Sequence, residues 1–314
     1  MSHQEPLSLS GLSAYHVNSN LLDALNKDVI NKSTTDKGVN KLLYDQVMPA
    51  GVARQSTLLY QQLKLQKQCQ EFAEQLAALG IDIEMNDNGS LLTPCAETMV
   101  TVDTPDINPQ GQLQIKGIVP LSSQHSQKSA NEASSPALWL NILPNSARTQ
   151  YVLRFWLAHV YWQVARRTTE AQVAAGDGRS IWRFNKGSDE YKKFKGKTTF
   201  ELAPIVYDEA LTELLKWIRF AHIAGKAPMT ILPVYALDYL EYMNKDIDYQ
   251  PKRSDFEGWL WPSYNSDVIY DSCSQHELWQ YILYKQNVFA KLKDTLPALA
   301  QPLFGVMDAA LKAL

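Results

Sequence analysis

The 314-residue chain has no excess of positive charge: 30 lysines and arginines stand against 33 aspartates and glutamates, for a formal net charge of −3. A protein that grips nucleic acid with its whole surface neutralises phosphates with a basic face, so that class is excluded and only a local basic patch is left open. Cysteine is scarce. The three residues, Cys69, Cys95 and Cys273, form an odd and widely spaced set that fits neither a disulfide framework nor a zinc pattern, and they suit a reducing compartment as small buried hydrophobes. No apolar run approaches the ~20 residues of a membrane span. The opening residues, MSHQEPLSLSGLSAYH, have neither the basic nor the apolar region of a signal peptide. The expectation is a soluble, cytoplasmic chain without membrane contact, large enough to bury a full core with no structural metal or disulfide.

Catalytic signatures are missing as well. The glycine-rich stretch GDGRS, from Gly176 to Ser180, lacks the lysine of a P-loop. There is no Gly-x-Ser-x-Gly elbow and no His-Glu-x-x-His helix. The six histidines are scattered, and His159 and His222 fall on or beside apolar helix faces as core residues. Asp246, Asp248, Asp255 and Glu257 lack the glycine turn and spacing of a calcium loop. No cofactor is expected.

Aromatics, by contrast, are abundant. Eight tryptophans and fifteen tyrosines fit either a tryptophan-rich core or a subunit interface. Along the chain, residues 18–47 read as helical, and ARQSTLLYQQLKLQKQCQEFAEQLAALG is a strong helix ending at Gly80. The period then becomes two: IDIEM, ETMVTVD and LQIKGIVPL alternate around the turn signals NDNGS and NPQGQ, as an antiparallel meander does. Residues 122–136, SSQHSQKSANEASSP, read as a mobile loop. ALWLNIL resumes the sheet as a buried strand, and Asn145 or Ser146 caps a helix from about Ala147 to Arg167. Further helices follow at YDEALTELLKWIRFAHIA, with Gly225 as its stop, at PVYALDYLEYMNK, and in two C-terminal segments.

One region is locally basic. Arg166, Arg167, Arg179, Arg183, Lys186, Lys192, Lys193, Lys195 and Lys197 are interleaved with Trp182, Phe184, Tyr191 and Phe194. Cations on an aromatic-bearing loop can follow a phosphate backbone while the rings stack on bases. Arg166, Arg167, Arg183, Lys186, Lys192, Lys193, Lys195 and Lys197 are therefore the candidate DNA-binding residues. A solvated loop, with Asp177, Asp189 and Glu190 among the bases, is the alternative.

The strand, turn, strand, loop, strand, helix series from 81 to 167 resembles the core of the PD-(D/E)xK nuclease fold, an α/β architecture with a small mixed central sheet flanked by many helices. In that fold one strand supplies an Asp and the next an Asp/Glu-x-Lys, so that two carboxylates hold Mg²⁺ and the lysine helps activate water. In this sequence Ile118, Val119 and Pro120 follow Gly117 where an acid is expected, and Leu138 to Leu143 include neither acid nor lysine. The resemblance implies a degenerate, catalytically dead version with no metal site. An active nuclease would need ligands from elsewhere, for example Glu97, Asp103 or Asp106.

A series of collinear matches is more specific. LSLSGLSAYHVNSNLLDAL, MPAGVARQ with QKQCQEFAEQL, IKGIVP, LRFWLAHVYW, GKAPMTILPVYALDYL and LPALAQPLFGVMD resemble, nearly end to end, the C-terminal domain of the RecC family, the gamma subunit of bacterial exodeoxyribonuclease V. That resemblance implies a noncatalytic subunit domain in double-strand-break repair and homologous recombination. It would scaffold RecB-like and RecD-like subunits and help separate or channel the strands of forked or duplex-end DNA, with NDNGS and NPQGQ as candidate wedges. The expected organisation is one domain over 1–314: a helical part at 1–80, a nuclease-like sheet and helix core at 81–168, and a helical part at 169–314. A pure protein-interaction domain without DNA contact is the third reading.

Overall fold

The computed structural model describes residues 52–81, 93, 95–108, 111–120, 137–187, 192–225, 233–252 and 288–314. The helices expected within 18–47, the turn NDNGS and the loop at 122–136 lie outside them.

Helix α1, Val52–Ala78, buries Leu65, Cys69, Phe72 and Leu76, a stripe at helical spacing. It ends where expected: Gly80 takes a left-handed φ of 75°, and the Ile81 N–H turns back to the Leu76 carbonyl at 3.0 Å.

Strands β1, Cys95–Asp103, and β2, Gln112–Pro120, pair antiparallel without a bulge from Cys95↔Pro120 to Asp103↔Gln112. Alternation gives each strand one inner and one outer face. Val102 and Val119 are buried on the inner side, while Met99 and Ile118 stand exposed on the other. ETMVTVD and LQIKGIVPL thus pair as the expected meander requires, while its first strand, IDIEM, lies outside the described residues beyond Ile81. The expectation that ALWLNIL resumes this sheet is corrected, because among the described residues β1 and β2 form a sheet separate from the next strand. It is fastened to the following helix by Tyr161, whose hydroxyl donates to the Thr98 carbonyl at 2.6 Å and whose pKa is raised by burial. Gly117 makes the room: a Cβ there would meet the Tyr161 ring at 2.4 Å.

The second sheet has the order β3-β4-β5-β6. β3, Leu138–Ser146, runs parallel to β4, Arg179–Lys186, and the two are joined by helix α2, Thr149–Arg166, and the short helix α3, Glu170–Ala174. A parallel neighbour needs such a crossover. β3 extends through Asn145 and Ser146, which corrects the expected helix cap; the N-cap is Arg148, with no side-chain cap bond. β5, Thr199–Leu202, returns antiparallel to β4. The region 169–314, expected to be helical, thus also carries three strands, since β6, Lys312–Ala313, closes the far edge.

The sheet is covered on both faces. On one, α2 brings Phe155 to stack on Trp182 at 4.7 Å, and Trp139 lies edge-on to both Trp162 and Trp182. All five described tryptophans, Trp139, Trp156, Trp162, Trp182 and Trp217, are buried, so among them the core reading holds. His159 is fully enclosed: Nε2 donates to the Ala203 carbonyl at 2.9 Å, and Nδ1 accepts from the Ser180 hydroxyl at 2.7 Å. That pattern is the one a neutral ring makes, and burial, which disfavours the charged ring, pushes its pKa down to about 3. On the other face lies α1. Helices α4, Tyr207–Ala224, and α5, Pro233–Lys245, match their expected spans. Helix α6, Val288–Ala310, runs unbroken through Pro297, before which the two expected C-terminal helices were to part, and through Pro302; Phe304 packs edge-on to Trp217 at 5.1 Å, and 276–287 lie outside the described residues.

Candidate nucleic-acid interface

The basic stretch is not a loop. Its middle is β4, whose side chains alternate between the α1 and α2 faces. Trp182, Phe184 and Phe194 are 3%, 0% and 8% exposed, which corrects their expected role: rings enclosed in the core have no face to offer a base. Tyr191 lies outside the described residues.

The cations sort into three settings. At the start of β4, Arg166 Nη2 bonds Asp177 Oδ2 at 2.7 Å, and the guanidinium lies 5.1 Å over the Trp162 ring. Asp177 also accepts from the Ala137 N–H. Gln163 donates to the Gly178 carbonyl at 2.8 Å and accepts from Thr168 at the same distance. This is a closed polar lock between the end of α2 and the first residues of β3 and β4. Arg167 stands exposed beside it, in the left-handed conformation that ends α2.

In the second setting the cations tie elements together. Arg183 Nη2 bonds Glu71 Oε2 of α1 at 2.7 Å. Lys193, in the turn Lys192–Phe194, bonds Asp308 Oδ2 at 3.2 Å and the Asp308 carbonyl at 2.7 Å, pinning α6 to the β4–β5 connection. Arg179 is likewise held by Glu201 at 2.6 Å.

Lys186, Lys195 and Lys197 make up the third. They are exposed and make no ion pair with a described residue. All three lie where β4 leaves for β5, at a backbone crossing so close that a Cβ on Gly187 would meet Gly196 at 2.4 Å. The side chain of Lys192 is outside the described residues. Eight residues of strand at about 3.3 Å each put roughly 23 Å between this end and Arg166, so the eight candidates do not form one patch. The triplet Gly196-Lys197-Thr198 does read Gly-Lys-Thr. It leads into strand β5 rather than a helix, and Tyr191 stands where a P-loop needs its first glycine.

The alternative metal ligands are also dispersed. Glu97 and Asp103 are six residues apart on β1, about 20 Å along the strand, with Glu97 3.5 Å from Lys116. Arg219 bonds Asp106 at 2.7 Å and holds its carboxyl below the usual carboxylate range. Among the described residues no three His, Cys, Asp or Glu side chains converge to hold a metal. Burial pushes the Cys95 thiol up to about 11, which makes it a poor thiolate donor.

What the sequence reading missed is the place of α1 beside β4. Gln75 bonds Thr199 at 2.9 Å, Glu71 bonds Arg183, and Gln68 bonds Asn185, so one stripe of the helix runs along β4 toward its basic end. Lys64 and Lys67, both exposed, come with it. No local signal marks them, because they are more than a hundred residues from their neighbours in space.

The structure therefore defines a mixed α/β domain with a small mixed sheet, six helices among the described residues, and a basic rim at one end of that sheet. The family model of the RecC C-terminal domain matches residues 1–244, and the chain belongs to that family. Membership associates it with RecBCD-type exodeoxyribonuclease V. No curated protein matches the chain. Helix α6 and strand β6 lie beyond the matched segment. Among the described residues, no helix is long and apolar enough to cross a membrane.

Proposed function

We propose that this chain acts as a noncatalytic RecC-like domain of a cytoplasmic helicase–nuclease in double-strand-break repair, holding RecB-like and RecD-like subunits and guiding the separated strands of forked or duplex-end DNA. Family membership over residues 1–244 is the observation that carries this reading. The unpaired lysines where β4 turns into β5 support the DNA contact. In the same reading residues 1–314 form one domain, a degenerate PD-(D/E)xK nuclease fold. Supporting this are the parallel β3–α2–β4 unit and the want of acid or lysine over Leu138 to Leu143.

The β1–β2 turn is the wedge in this proposal. On either side of 109–110, which lie outside the described residues, it is braced by the Thr104 N–H on the Gly111 carbonyl at 2.8 Å and by Asp106 held by Arg219 of α4. A turn with a braced base can block re-pairing while motors in other subunits supply the work.

The test is binding and cleavage of a fluorescent forked DNA by the full chain, with and without Mg²⁺, over a salt series. Salt-sensitive binding without cleavage is expected. Mg²⁺-dependent cutting that survives repurification overturns the noncatalytic reading, and an absence of binding at all salt concentrations leaves a protein-interaction domain.

A further inference from the structure

We propose that α1 completes the basic rim, Lys64 and Lys67 joining Lys197 and Arg183 in one face for the sugar–phosphate backbone of a nucleic-acid strand, on which Glu71 occupies the place of a phosphate. The inference rests on the DNA-guiding role proposed above and adds a site and a device to it.

Three contacts fix the alignment. Gln75, Glu71 and Gln68 lie on successive turns of one α1 stripe; Gln75 and Glu71 meet Thr199 of β5 and Arg183 of β4, which face each other across the sheet, and Gln68 meets Asn185, two residues nearer the exit of β4. Lys64 is the next residue on that stripe, one turn beyond Gln68. Lys67 Nζ is 4.0 Å from Glu71 Oε1 with its side chain 77% exposed. The β4–β5 register pairs Arg183 with Thr199, and the Phe184 N–H continues it by donating to the Thr198 carbonyl at 2.7 Å, which brings Lys197 to the Asn185 end of β4. Cations from residues 64–67, 183 and 197 thus share one corner of the molecule.

The ligand class follows from what the corner lacks. With Trp182, Phe184 and Phe194 buried, none of these three rings stacks on bases, and ammonium groups on an open rim address phosphates without reading sequence. Arg183 is the exception in chemistry and position: its planar fork suits a phosphate's paired oxygens, but Glu71 already occupies it. The two partners differ in mobility. The Arg183 side chain is 17% exposed and fixed against the sheet, whereas that of Glu71 is 45% exposed. A solvated carboxylate at such a site is held weakly and can swing away when a phosphate arrives.

The experiment measures binding of the full chain to a labelled forked DNA of scrambled sequence over a salt series, for wild type, Lys64→Gln/Lys67→Gln, Glu71→Gln and the distant control Lys312→Gln, each first checked for an unchanged melting temperature. The double lysine variant is expected to lower the slope of log K against log salt by about 2, and Glu71→Gln to raise it by about 1 with severalfold tighter binding. An unchanged slope in both variants while wild type binds overturns this site alone. An equal loss in Lys312→Gln shows diffuse attraction and also overturns it. If wild type fails to bind even at low salt, the DNA-guiding role falls together with the site.

Discussion

At the end of β4 where the chain arrives from α2, the positive charge belongs to the fold; at the end where it leaves for β5, the charge belongs to the solvent. Arg166 is enclosed by Asp177 and Trp162 and backed by Gln163 and Thr168. Lys186, Lys195 and Lys197, no more than 31 positions later in the sequence, face water. Residues of one type in one basic stretch thus have opposite roles, and burial sorts them. Arg166 is paired with an acid that is itself largely enclosed, so neither partner of that pair is free to leave for a ligand.

Acid is the harshest probe of the closed region. His159 is neutral when folded, with a pKa near 3, against about 6.5 unfolded. Between those values the unfolded chain binds the extra proton, so stability is complete above about pH 6.5 and is lost as pH falls toward 3. The slope is about 1.4 kcal/mol per pH unit. Urea titrations at pH 7, 5.5 and 4.5 should follow that slope, and His159→Gln should flatten it.

The next test sets two glycines against each other. Gly178, at the closed end, has a φ of 110°, and a Cβ there would meet Arg166 Nη1 at 2.4 Å; Gly196, at the open end, has a φ of 75° with nothing within 4 Å. Gly178→Ala should cost about 3 kcal/mol in urea unfolding. Gly196→Ala should cost about 1 kcal/mol, for left-handed strain alone. Equal losses would erase the contrast.

Arginine and lysine truncations give a smaller separation. Arg166→Ala strands Asp177 in a mostly buried site and should lose about 2 kcal/mol of stability, whereas Lys195→Ala should leave the melting temperature unchanged. The smallest effect is read on DNA: Lys186→Gln should lower the salt slope by about 1, with folding unaffected.

Much of the local structure was legible. The stripe Leu58, Leu59, Leu63, Cys69, Phe72, Leu76 with Gly80 behind it announces α1, although Leu59 and Leu63 prove exposed while Cys69, Phe72 and Leu76 are buried, and the alternation in ETMVTVD and LQIKGIVPL announces the ribbon. Helix α5 matches its expected span. Strand β4 was harder to read, because RSIWRFNK is buried on both faces along most of its length and so does not alternate cleanly between polar and apolar. The span of α6 was misread at Pro297, a proline that tertiary packing lets the helix run through. Of the candidate site, the residue types were visible, but their availability was not. Nothing local to Arg183 shows that Glu71, 112 residues away, holds it.

By itself the sequence determined the periodic elements, the buried character of β3 with neither acid nor lysine over Leu138 to Leu143, and the family to which the chain belongs, because each is carried by residue type and short-range spacing. Tertiary structure alone decided that the β1–β2 ribbon is a separate sheet, that the last residues close the second sheet, and which cations are left in water. Those outcomes depend on pairings between residues far apart in the chain. Whether a charge is bound or available is set by the low-dielectric surroundings and the partner that folding brings to it.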